Sequence, residues 1–423
     1  MKRRFAIPVG IALLVAGAAH AQLLPQLPGV QLPRLPVDVL QQPLENVENL
    51  ADHTTSRVLE RTRLRRVTAF LRDNRNTVTR DDRGFPAVRG EVLLTAPAPD
   101  DVDRLTNHGF SVIDDSVIAG LGLRTVRLAT PAGMALAKAI KLARKIVGNR
   151  ISADNIHFRS GKAIAAVPVE SVGAHYAEPT ARPVSIGMID GGVAATPLIP
   201  ARVTQRGFAA GAPASDPHAT AVASLLIGEG RVRGADPGAH LFAADVYGRD
   251  PAGGGAFAIA QALGWMVENR VEVVTISLVG PKNALLARAV ALAQDKGVTV
   301  VAAVGNDGPA APPAYPASYP GVLAITGVDA RDKVLVEAGH AVHLDYAAPG
   351  ADMLAAAPGS GAVRVRGTSF AAPLAAGRLA VLMASDGHDA RRALDREARD
   401  LGPKGPDDEY GRGLVCGDCA TRP

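Results

Sequence analysis

A serine stands at the turn into an alanine-rich stretch near the C-terminal end of the chain, in Gly367–Pro373 (GTSFAAP). The small residues of Ala371–Gly377 predict the start of a helix, which would place the Ser369 hydroxyl and backbone N–H at a helix N-terminus. Free amides there favour negative charge, and a nucleophilic serine needs this because its tetrahedral intermediate carries an oxyanion. For this motif alone, a Thr/Ser cap on a packed helix is the favoured interpretation.

Two further polar residues stand where a strand ends and where a helix begins. Val184–Ile189 predicts an apolar strand, and Asp190 follows it, at the strand end where α/β proteins collect functional groups. His218 precedes Thr220–Ile227, whose small residues predict a closely packed helix. Each has a plainer interpretation when taken alone, because Asp-Gly is a common turn and a histidine near a helix cap can lie on the surface.

An asparagine follows another predicted strand. Val298–Val304 is apolar, and Asn306 comes after it in a glycine-containing turn. Its side-chain amide can point at a developing oxyanion, or it can simply be a turn residue. The chain order Asp, His, Ser is one of the known orders of a catalytic triad.

Taken together, the four motifs resemble those of the subtilisin-like serine proteases, the subtilase family. The resemblance covers more than half of the chain, from about Pro183 to Val415, and the motifs occur in the family's order. They are Ile189–Gly192 (IDGG), His218–Ala223 (HATAVA), Ala302–Asn306 (AAVGN) and Gly367–Pro373 (GTSFAAP). The C-terminal stretches Asp400–Gly402 and Tyr410–Val415 also resemble the family's usual ending.

The resemblance implies a role for each of these residues. Ser369 would be the nucleophile, His218 the base and then the acid, and Asp190 the group that orients the imidazole. Asn306 and the Ser369 backbone N–H would form the oxyanion hole. The strand Thr275–Leu278 resembles the family's substrate-pairing strand, which binds an extended polypeptide by β-augmentation. The residues expected to contact substrate are Ser277, Leu278, Val279, Gly280, Ala303, Val304 and Gly305.

Three positions depart from the family's pattern. Gly191 stands where serine or threonine usually follows the aspartate, so one hydrogen bond to Asp190 is expected to be missing. Ala219 and Val279 stand where the family usually has glycine, and Val279 would narrow one side of the cleft. Two functions remain open: a serine endopeptidase, and a catalytically impaired binding or chaperone-like module of the same shape. The endopeptidase is favoured because all four chemical groups are present.

Alternating strands and helices surround these motifs from Arg182 onward. The predicted strands are Val184–Ile189, His240–Val246, Val271–Leu278, Val298–Val304 and Val322–Val328, the helices Thr220–Ile227, Phe257–Asn269 and Ala284–Lys296, and Ala347–Pro349 is a predicted loop. Scarce aromatics and abundant alanine, glycine and valine suit close packing of helices on a sheet. We expect a three-layer subtilisin-like α/β domain with a mostly parallel sheet over residues 180–415, followed by a tail over 416–423.

A smaller domain is expected before it, over residues 88–160. Its predicted strands are Glu91–Thr95, Ser111–Ile113, Leu121–Leu128 and Ile156–Phe158, and its helices are Asp100–His108 and Pro131–Val147. This β-α-β-β-α-β order is that of a ferredoxin-like α+β domain. The resemblance implies that it is an inhibitory propeptide that also assists folding, and that the chain matures by cleavage between about Phe158 and Arg182.

The N-terminal residues indicate export. Residues 1–21 have the basic, apolar and small-residue parts of a signal peptide, which is favoured over a membrane anchor because the apolar stretch is short. We expect a periplasmic, cell-surface or secreted protein. Residues 22–43 repeat Leu-Pro units and predict an extended linker. Residues 44–83 predict a basic helical segment, for which a solvated face is favoured over contact with nucleic acid or anionic lipid.

Cysteine content and charge limit the other classes of site. The two cysteines, Cys416 and Cys419, are too few for a disulfide framework or a structural zinc site, and a small terminal disulfide or incidental thiols are favoured. The net charge of +5 is mild for 423 residues, and no nucleic-acid partner is expected. We expect a monomer that needs no cofactor and has no metal ligands that can be named, although the resemblance makes structural calcium possible.

Overall fold

The computed structural model describes residues 44–167, 184–359 and 361–422. The segments predicted to be a signal peptide and a proline-rich linker lie outside the described residues. Asp52–Pro423 form one compact unit, and the contacts described below lie within it.

A long helix and an antiparallel sheet begin the described chain. The elements are α1 (Leu44–Asp73), β1 (Val78–Arg80), β2 (Pro86–Thr95), α2 (Asp101–Thr106), β3 (Ser111–Ile118), β4 (Leu123–Ala129), α3 (Leu136–Val147) and β5 (Ile151–Asn155). β2 pairs with β1 and then β4 along one edge and with β5 along the other, and β3 pairs with β4. The chain therefore passes through β-α-β-β-α-β from β2 to β5, as the sequence predicts.

The last strand of that order is not the predicted one. The sequence predicts Ile156–Phe158, whereas β5 covers the more polar Ile151–Asn155. Asn155 has low strand propensity and is tolerated at the end of this strand because neighbouring segments satisfy its side-chain amide. Asn155 donates to Asp81 at 2.9 Å and accepts from Asn283 at 3.0 Å.

The chain then leaves this sheet and forms two short strands, β6 (Phe158–Arg159) and β7 (Lys162–Val167). Neither pairs with the first sheet. β6 pairs antiparallel with β12 (Leu278–Val279), and β7 pairs antiparallel with β17 (Ala362–Arg366). The predicted triplet Ile156–Phe158 is therefore extended chain, but its strand partners belong to the second half of the molecule.

Strands and helices alternate from residue 184 onward. They are β8 (Ser185–Asp190), β9 (Val203–Gly207), α4 (Pro217–Ile227), β10 (His240–Asp245), α5 (Ala256–Glu268), β11 (Val273–Ile276), α6 (Ala284–Asp295), β13 (Thr299–Ala303), β14 (Leu323–Val328), β15 (Tyr346–Pro349), β16 (Met353–Ala356), α7 (Thr368–Asp386) and α8 (Ala390–Glu397). Seven of the strands form one sheet in the order β15-β14-β13-β11-β8-β10-β9, and all of its pairs are parallel.

Both faces of this sheet are covered by helices, because side chains alternate along each strand. On β8, Met188 packs with α4 and α7, whereas Ile189 packs with α5 and α6. The predicted three-layer α/β fold with a parallel sheet is confirmed. The predicted loop at Ala347–Pro349 is wrong, since these residues lie in the edge strand β15. The strands β9, β16 and β17 were not predicted.

Two helices begin earlier than the apolar pattern indicates. α4 starts at Pro217, so His218 lies in its first turn rather than before it. Asp216 caps this helix, and Asp-Pro is a start signal that the small-residue pattern does not include. α7 starts at Thr368 and contains Ser369 in its first turn.

Two features complete the C-terminal region. Cys416 and Cys419 form a disulfide, one of the two alternatives that the sequence left open. In the described part of the chain, Thr368–Glu397 is the helical stretch long and apolar enough to cross a membrane, and 72% of its apolar window is buried inside the protein.

Candidate active site

Asp190, His218 and Ser369 lie together at the carboxyl edge of the parallel sheet. Asp190 ends β8, and the other two residues lie in the first turns of α4 and α7. His218 Nδ1 is 2.9 Å from Asp190 Oδ2, and His218 Nε2 is 3.0 Å from Ser369 Oγ. Asp190 and Ser369 are fully buried, and the imidazole is 11% exposed.

The carboxylate of Asp190 is held mainly by the backbone. The Gly191 N–H donates to Oδ1 at 2.8 Å, and Oδ2 faces the imidazole at an angle outside the usual hydrogen-bond range despite the short distance. Catalytic hydrogen bonds can be poorly aligned until substrate is correctly seated. Burial lowers the pKa of His218, but the Asp190 charge, with Asp216 adding to it, raises the pKa above 6.5 overall.

The helix that carries His218 is started by two local signals. Asp216 has extended backbone and accepts from the Ala219 N–H at 2.9 Å, and Pro217 occupies the first turn. The residues from Ala219 to Ile227 are all buried, so the helix is packed on every side. The imidazole is therefore attached to a rigid element.

Gly367, two residues before Ser369, allows close contact with Gly161 and Asn306. Gly367 has a φ of 140°. A Cβ on it would lie 2.7 Å from Gly161 Cα and 2.8 Å from Asn306 Nδ2. Any larger residue would displace one of these neighbours, so Gly367, Gly161 and Asn306 form one tightly packed group.

Asn306 places a side-chain amide next to Gly367. Its Oδ1 accepts from the Thr368 N–H at 3.0 Å, which fixes the amide. Its Nδ2 is buried and has no hydrogen-bond partner among the described residues. A buried, unpaired donor costs free energy unless a further acceptor arrives, so this geometry suits a transient negative charge.

The chain's own residues 156–161 run through the cleft beside the serine. Phe158 pairs with Val279 and Arg159 with Leu278, and the Ser160 N–H donates to the Ser277 carbonyl at 3.4 Å. The next residue, Gly161, stands against the hydroxyl, because a Cβ on it would lie 2.2 Å from Ser369 Oγ.

Residues upstream continue the same extended pairing. Ile156 forms an antiparallel bridge with Gly255, the His157 N–H donates to the Gly254 carbonyl at 2.8 Å, and the Tyr247 hydroxyl donates to the His157 carbonyl at 2.6 Å. The His157 ring is fully buried beside Gly280, where a Cβ would lie 2.5 Å from it.

Arg159 points its side chain toward the acidic end of the site. Its Nη2 is 3.0 Å from Asp216 Oδ2, and its Nε is 3.6 Å from Asp190 Oδ1. The guanidinium carbon lies 3.7 Å from the centroid of the Tyr247 ring. Roles for Arg159, Asp216 and Tyr247 were not predicted from the sequence. The position of Asp216 two residues before His218 was the available signal, whereas nothing in the sequence marks Tyr247.

The predicted substrate-contacting residues divide into three groups. Ser277–Gly280 lie along the 156–161 segment, and the Ser277 hydroxyl also donates to the Ser369 carbonyl at 2.8 Å. Gly305 lies beside Val279, with backbone bonds to the Thr368 hydroxyl. Ala303 and Val304 are instead buried among the side chains of the two sheet faces.

Helix α1 covers the other side of the same segment. The Phe70 and Phe158 rings meet edge to face, with centroids 5.0 Å apart. Arg66 pairs with Asp307 at 2.7 Å. A basic residue of this helix thus faces a carboxylate of the same chain next to Asn306.

The carboxylates and imidazole of the site are also candidates for holding a cation. Asp190, Asp216 and His218 offer ligand atoms within 4.8 Å of one another. The guanidinium of Arg159 already supplies positive charge to both carboxylates. The contacts therefore fit an arginine in this place.

Comparison with known proteins gives consistent similarities. The model of the subtilase family matches residues 184–413. Subtilisin BL of Lederbergia lenta is 33% identical over 266 residues, which are 60% of this chain and 96% of the relative. An alkaline protease of Alkalihalobacillus alcalophilus is 32% identical over 265 residues, 60% of this chain and 68% of the relative.

A solved structure shows the same fold. Fervidolysin from Fervidobacterium pennivorans matches with a TM-score of 0.66 and 18% identity. The match covers 78% of this chain and 60% of fervidolysin. At this identity the likeness concerns the fold alone, and it extends beyond the region that the family model matches.

Proposed function

The chain belongs to the subtilase family of serine peptidases, and from this premise we propose that it is an exported serine endopeptidase made as a self-processing zymogen. The proposed catalytic residues are Asp190, His218 and Ser369, with Asn306 in the oxyanion hole. The observation that carries the proposal is the Ser369 hydroxyl, which lies within hydrogen-bond reach of His218 Nε2 and against an extended segment of the same chain.

The first half of the reaction forms an acyl-enzyme. Ser369 Oγ attacks the carbonyl carbon of the peptide bond while its proton passes to His218 Nε2. The carbonyl oxygen becomes an oxyanion, which Asn306 Nδ2 and the Ser369 N–H stabilise. The intermediate collapses as the imidazolium gives its proton to the leaving amine, and the bond between carbon and nitrogen breaks. Asp190 stabilises the imidazolium while it exists.

The second half reverses these roles with water. A water molecule gives a proton to His218 as its oxygen attacks the acyl carbon, and the oxyanion forms in the same hole. Collapse of this intermediate returns the proton to Ser369 Oγ and releases the carboxylic acid. Proton and electron counts therefore balance over the whole cycle.

The self-processing bond that the geometry supports is Ser160–Gly161. Ser160 is the residue whose N–H pairs with Ser277, and Gly161 is the next residue, whose backbone stands against Ser369 Oγ. This bond lies within the range of about Phe158 to Arg182 that the resemblance implies. Until the segment is cut and released, it occupies the cleft and excludes other polypeptides.

Export and inhibition by the N-terminal region are proposed from the similarity to subtilases and from the pattern of residues 1–21. We propose that residues 1–21 direct export and that the first sheet, together with α1, is the inhibitory propeptide. The substrates are polypeptides in extended conformation, because the cleft pairs with backbone groups. We expect an active monomer without a cofactor.

Labelling with a fluorophosphonate tests the proposal. The purified wild-type chain should gain one adduct at Ser369 and should be shortened to a species that begins at Gly161. The Ser369→Ala variant should gain no adduct and keep its N-terminal segment. Cleavage that persists in this variant would contradict self-processing. A folded, processed wild type that gains no adduct would indicate the inactive binding module instead.

A further inference from the structure

We infer that Asp216 and Tyr247 form a subsite that selects arginine two residues before the cleaved bond of a substrate. The inference rests on the proposed function, since it takes Ser160–Gly161 as the bond that the enzyme cuts. Arg159 is then the second residue before that bond. Its side chain shows how the cleft receives a cation, and the same groups remain in the enzyme after Arg159 has left.

The contacts of Arg159 are of two kinds that together suit a guanidinium. Asp216 Oδ2 forms an ion pair with Nη2 at 3.0 Å, in which the Arg159 and Asp216 side chains are 31% and 18% exposed. The Tyr247 ring lies against the guanidinium plane, 3.7 Å from centroid to carbon. A planar cation gains from both a carboxylate and an aromatic face, whereas an ammonium gains less from stacking.

The walls of this subsite are fixed before substrate arrives. The second oxygen of Asp216 is held by the Ala219 N–H at the start of α4. Tyr247 is attached to Asp245 through its own N–H at 2.9 Å, and its ring packs against Gly254, where a Cβ would lie 2.6 Å away. Prepositioned groups bind without a further ordering cost, which favours selection by the subsite.

Gly191 provides the space that the arginine fills. A Cβ on this residue would lie 2.8 Å from Asp216 Cβ and 3.2 Å from Arg159 Nη2. The family pattern predicts that glycine at this position costs Asp190 one hydrogen bond. The contacts of Gly191 suggest a further role, because a serine or threonine side chain here would crowd both Asp216 and Arg159.

The charge of the subsite changes when the segment leaves. Asp190 and Asp216 then lie near each other without the guanidinium that balanced them. Burial raises the pKa of Asp216, the Asp190 charge raises it further, and the Arg159 charge lowers it. The emptied subsite therefore gains most from a new cation, gains less from a neutral residue and is repelled by an acidic one.

Tyr247 also contacts the substrate backbone. Its hydroxyl donates to the His157 carbonyl, the fourth residue before the cleaved bond. The ring face thus contacts the second residue while the hydroxyl fixes the fourth. One side chain thus recognises the second residue and holds the backbone at the fourth, which defines the substrate class as flexible protein segments that carry arginine.

The test compares two quenched peptides with the processed enzyme. One has the sequence of residues 155–162, and the other differs only by Arg159→Gln. We expect the kcat/KM of the wild type to be about tenfold or more higher for the arginine peptide than for the glutamine peptide. A tenfold ratio corresponds to about 1.4 kcal/mol of preferential binding in the transition state. The Asp216→Asn variant keeps the helix-capping oxygen and should lose most of this preference, and Tyr247→Leu should lose part of it.

Each comparison is a ratio within one enzyme, so the fraction of active molecules cancels. The Asp332→Asn variant is the matched control, because it removes the same charge at a surface pair with Arg399 and should keep the wild-type ratio. Equal kcat/KM for the two peptides in the wild type, or an unchanged ratio in Asp216→Asn, would overturn the inference. Failure of the wild type to cleave either peptide or to react with a fluorophosphonate would instead overturn the proposed function and the inference with it.

Discussion

The imidazole of His218 is surrounded by charges of both signs. Asp190 and Asp216 raise its pKa, whereas burial and the Arg159 guanidinium lower it. Asp190 comes from β8, Asp216 from the start of α4 and Arg159 from β6, so three elements contribute. Of these three charged residues, only Arg159 is removed by processing. The pKa of His218 should therefore be higher in the processed enzyme than in the precursor.

This charge balance predicts the pH dependence of the processed enzyme. The base form of His218 must be neutral, so kcat/KM rises with pH through the pKa of the free enzyme. Because that pKa is raised, the midpoint of the acidic limb should lie above pH 6.5. Asp216→Asn removes a negative charge and should move the midpoint to lower pH. The measurement is kcat/KM against pH with the Arg159→Gln peptide.

The choice of that peptide keeps the arginine subsite out of the comparison. Asp332→Asn again serves as control and should keep the wild-type midpoint. An Asp216→Asn midpoint equal to or higher than that of the wild type would show that the Asp216 carboxylate does not act on the imidazole.

Among the elements, those with apolar, periodic sequences could be predicted and those set by tertiary partners could not. β8, α5 and β14 lie within a residue or two of their predicted bounds, because they are buried on both faces or along one broad stripe. β5 is polar and β15 is short and contains proline, so neither carries a strong strand signal. Their strand conformation depends on neighbours distant in sequence.

The same division holds for the site. Asp190, His218, Ser369 and Asn306 lie in motifs that are local in sequence, so their types and order were available in advance. Arg159 and Tyr247 meet only because β6 crosses the cleft, and a pairing between elements about 90 residues apart leaves no local pattern. The arginine subsite could therefore not be predicted from sequence alone.

Helix α1 predicts how tightly the cut segment is held. Its half-buried Leu59 packs against Gly308 on the enzyme side of the cut bond, where a Cβ would lie 2.9 Å from Leu59 Cδ1. In Leu59→Ala, the cut N-terminal part should leave the enzyme about tenfold faster, because the truncation removes about 1.4 kcal/mol of apolar contact. The measurement starts from the full-length precursor and follows the interval between cleavage, seen by intact mass, and the appearance of peptidase activity.

A substitution on the exposed side of the same helix serves as control. Val58 is 55% exposed, so Val58→Ala also truncates an apolar side chain but should leave the interval unchanged. If Leu59→Ala and the wild type released activity after the same interval, α1 would not act as a cover of the cleft.

At the scale of the whole molecule, the first sheet uses its two faces differently. On β2, Val92 and Leu94 pack on α3, whereas Leu93 between them packs among residues of α5 and α6. The sheet therefore has its own core on one face and shares a core with the parallel-sheet region on the other. Segment 156–161 continues directly from this docked sheet, which explains why it is held in extended conformation in the cleft.

Two buried titratable groups at this junction respond to pH in opposite senses. Burial raises the pKa of Asp154 to about 7, with the Glu91 charge adding to it, although its Oδ1 accepts from the Phe257 N–H at the start of α5. Burial lowers the pKa of His157 to about 4. Stability from Asp154 is present below pH 3.8 and is lost as pH rises to about 7. Stability from His157 is present above pH 6.5 and is lost as pH falls to about 4.

Between about pH 4 and 6.5 the two effects should cancel. Folding takes up one proton at Asp154 and releases one at His157, so these two groups together should add no pH dependence to the free energy of unfolding of the uncleavable Ser369→Ala chain in this range. Relative to that parent chain, adding Asp154→Asn should make stability fall as pH falls, and adding His157→Gln should make it fall as pH rises. Each change of slope should be on the order of 1 kcal/mol per pH unit, measured by urea denaturation. Profiles parallel to the parent's in both variants would contradict the burial of these groups at the junction, whereas opposite changes of slope would show that the docked segment balances one proton against another.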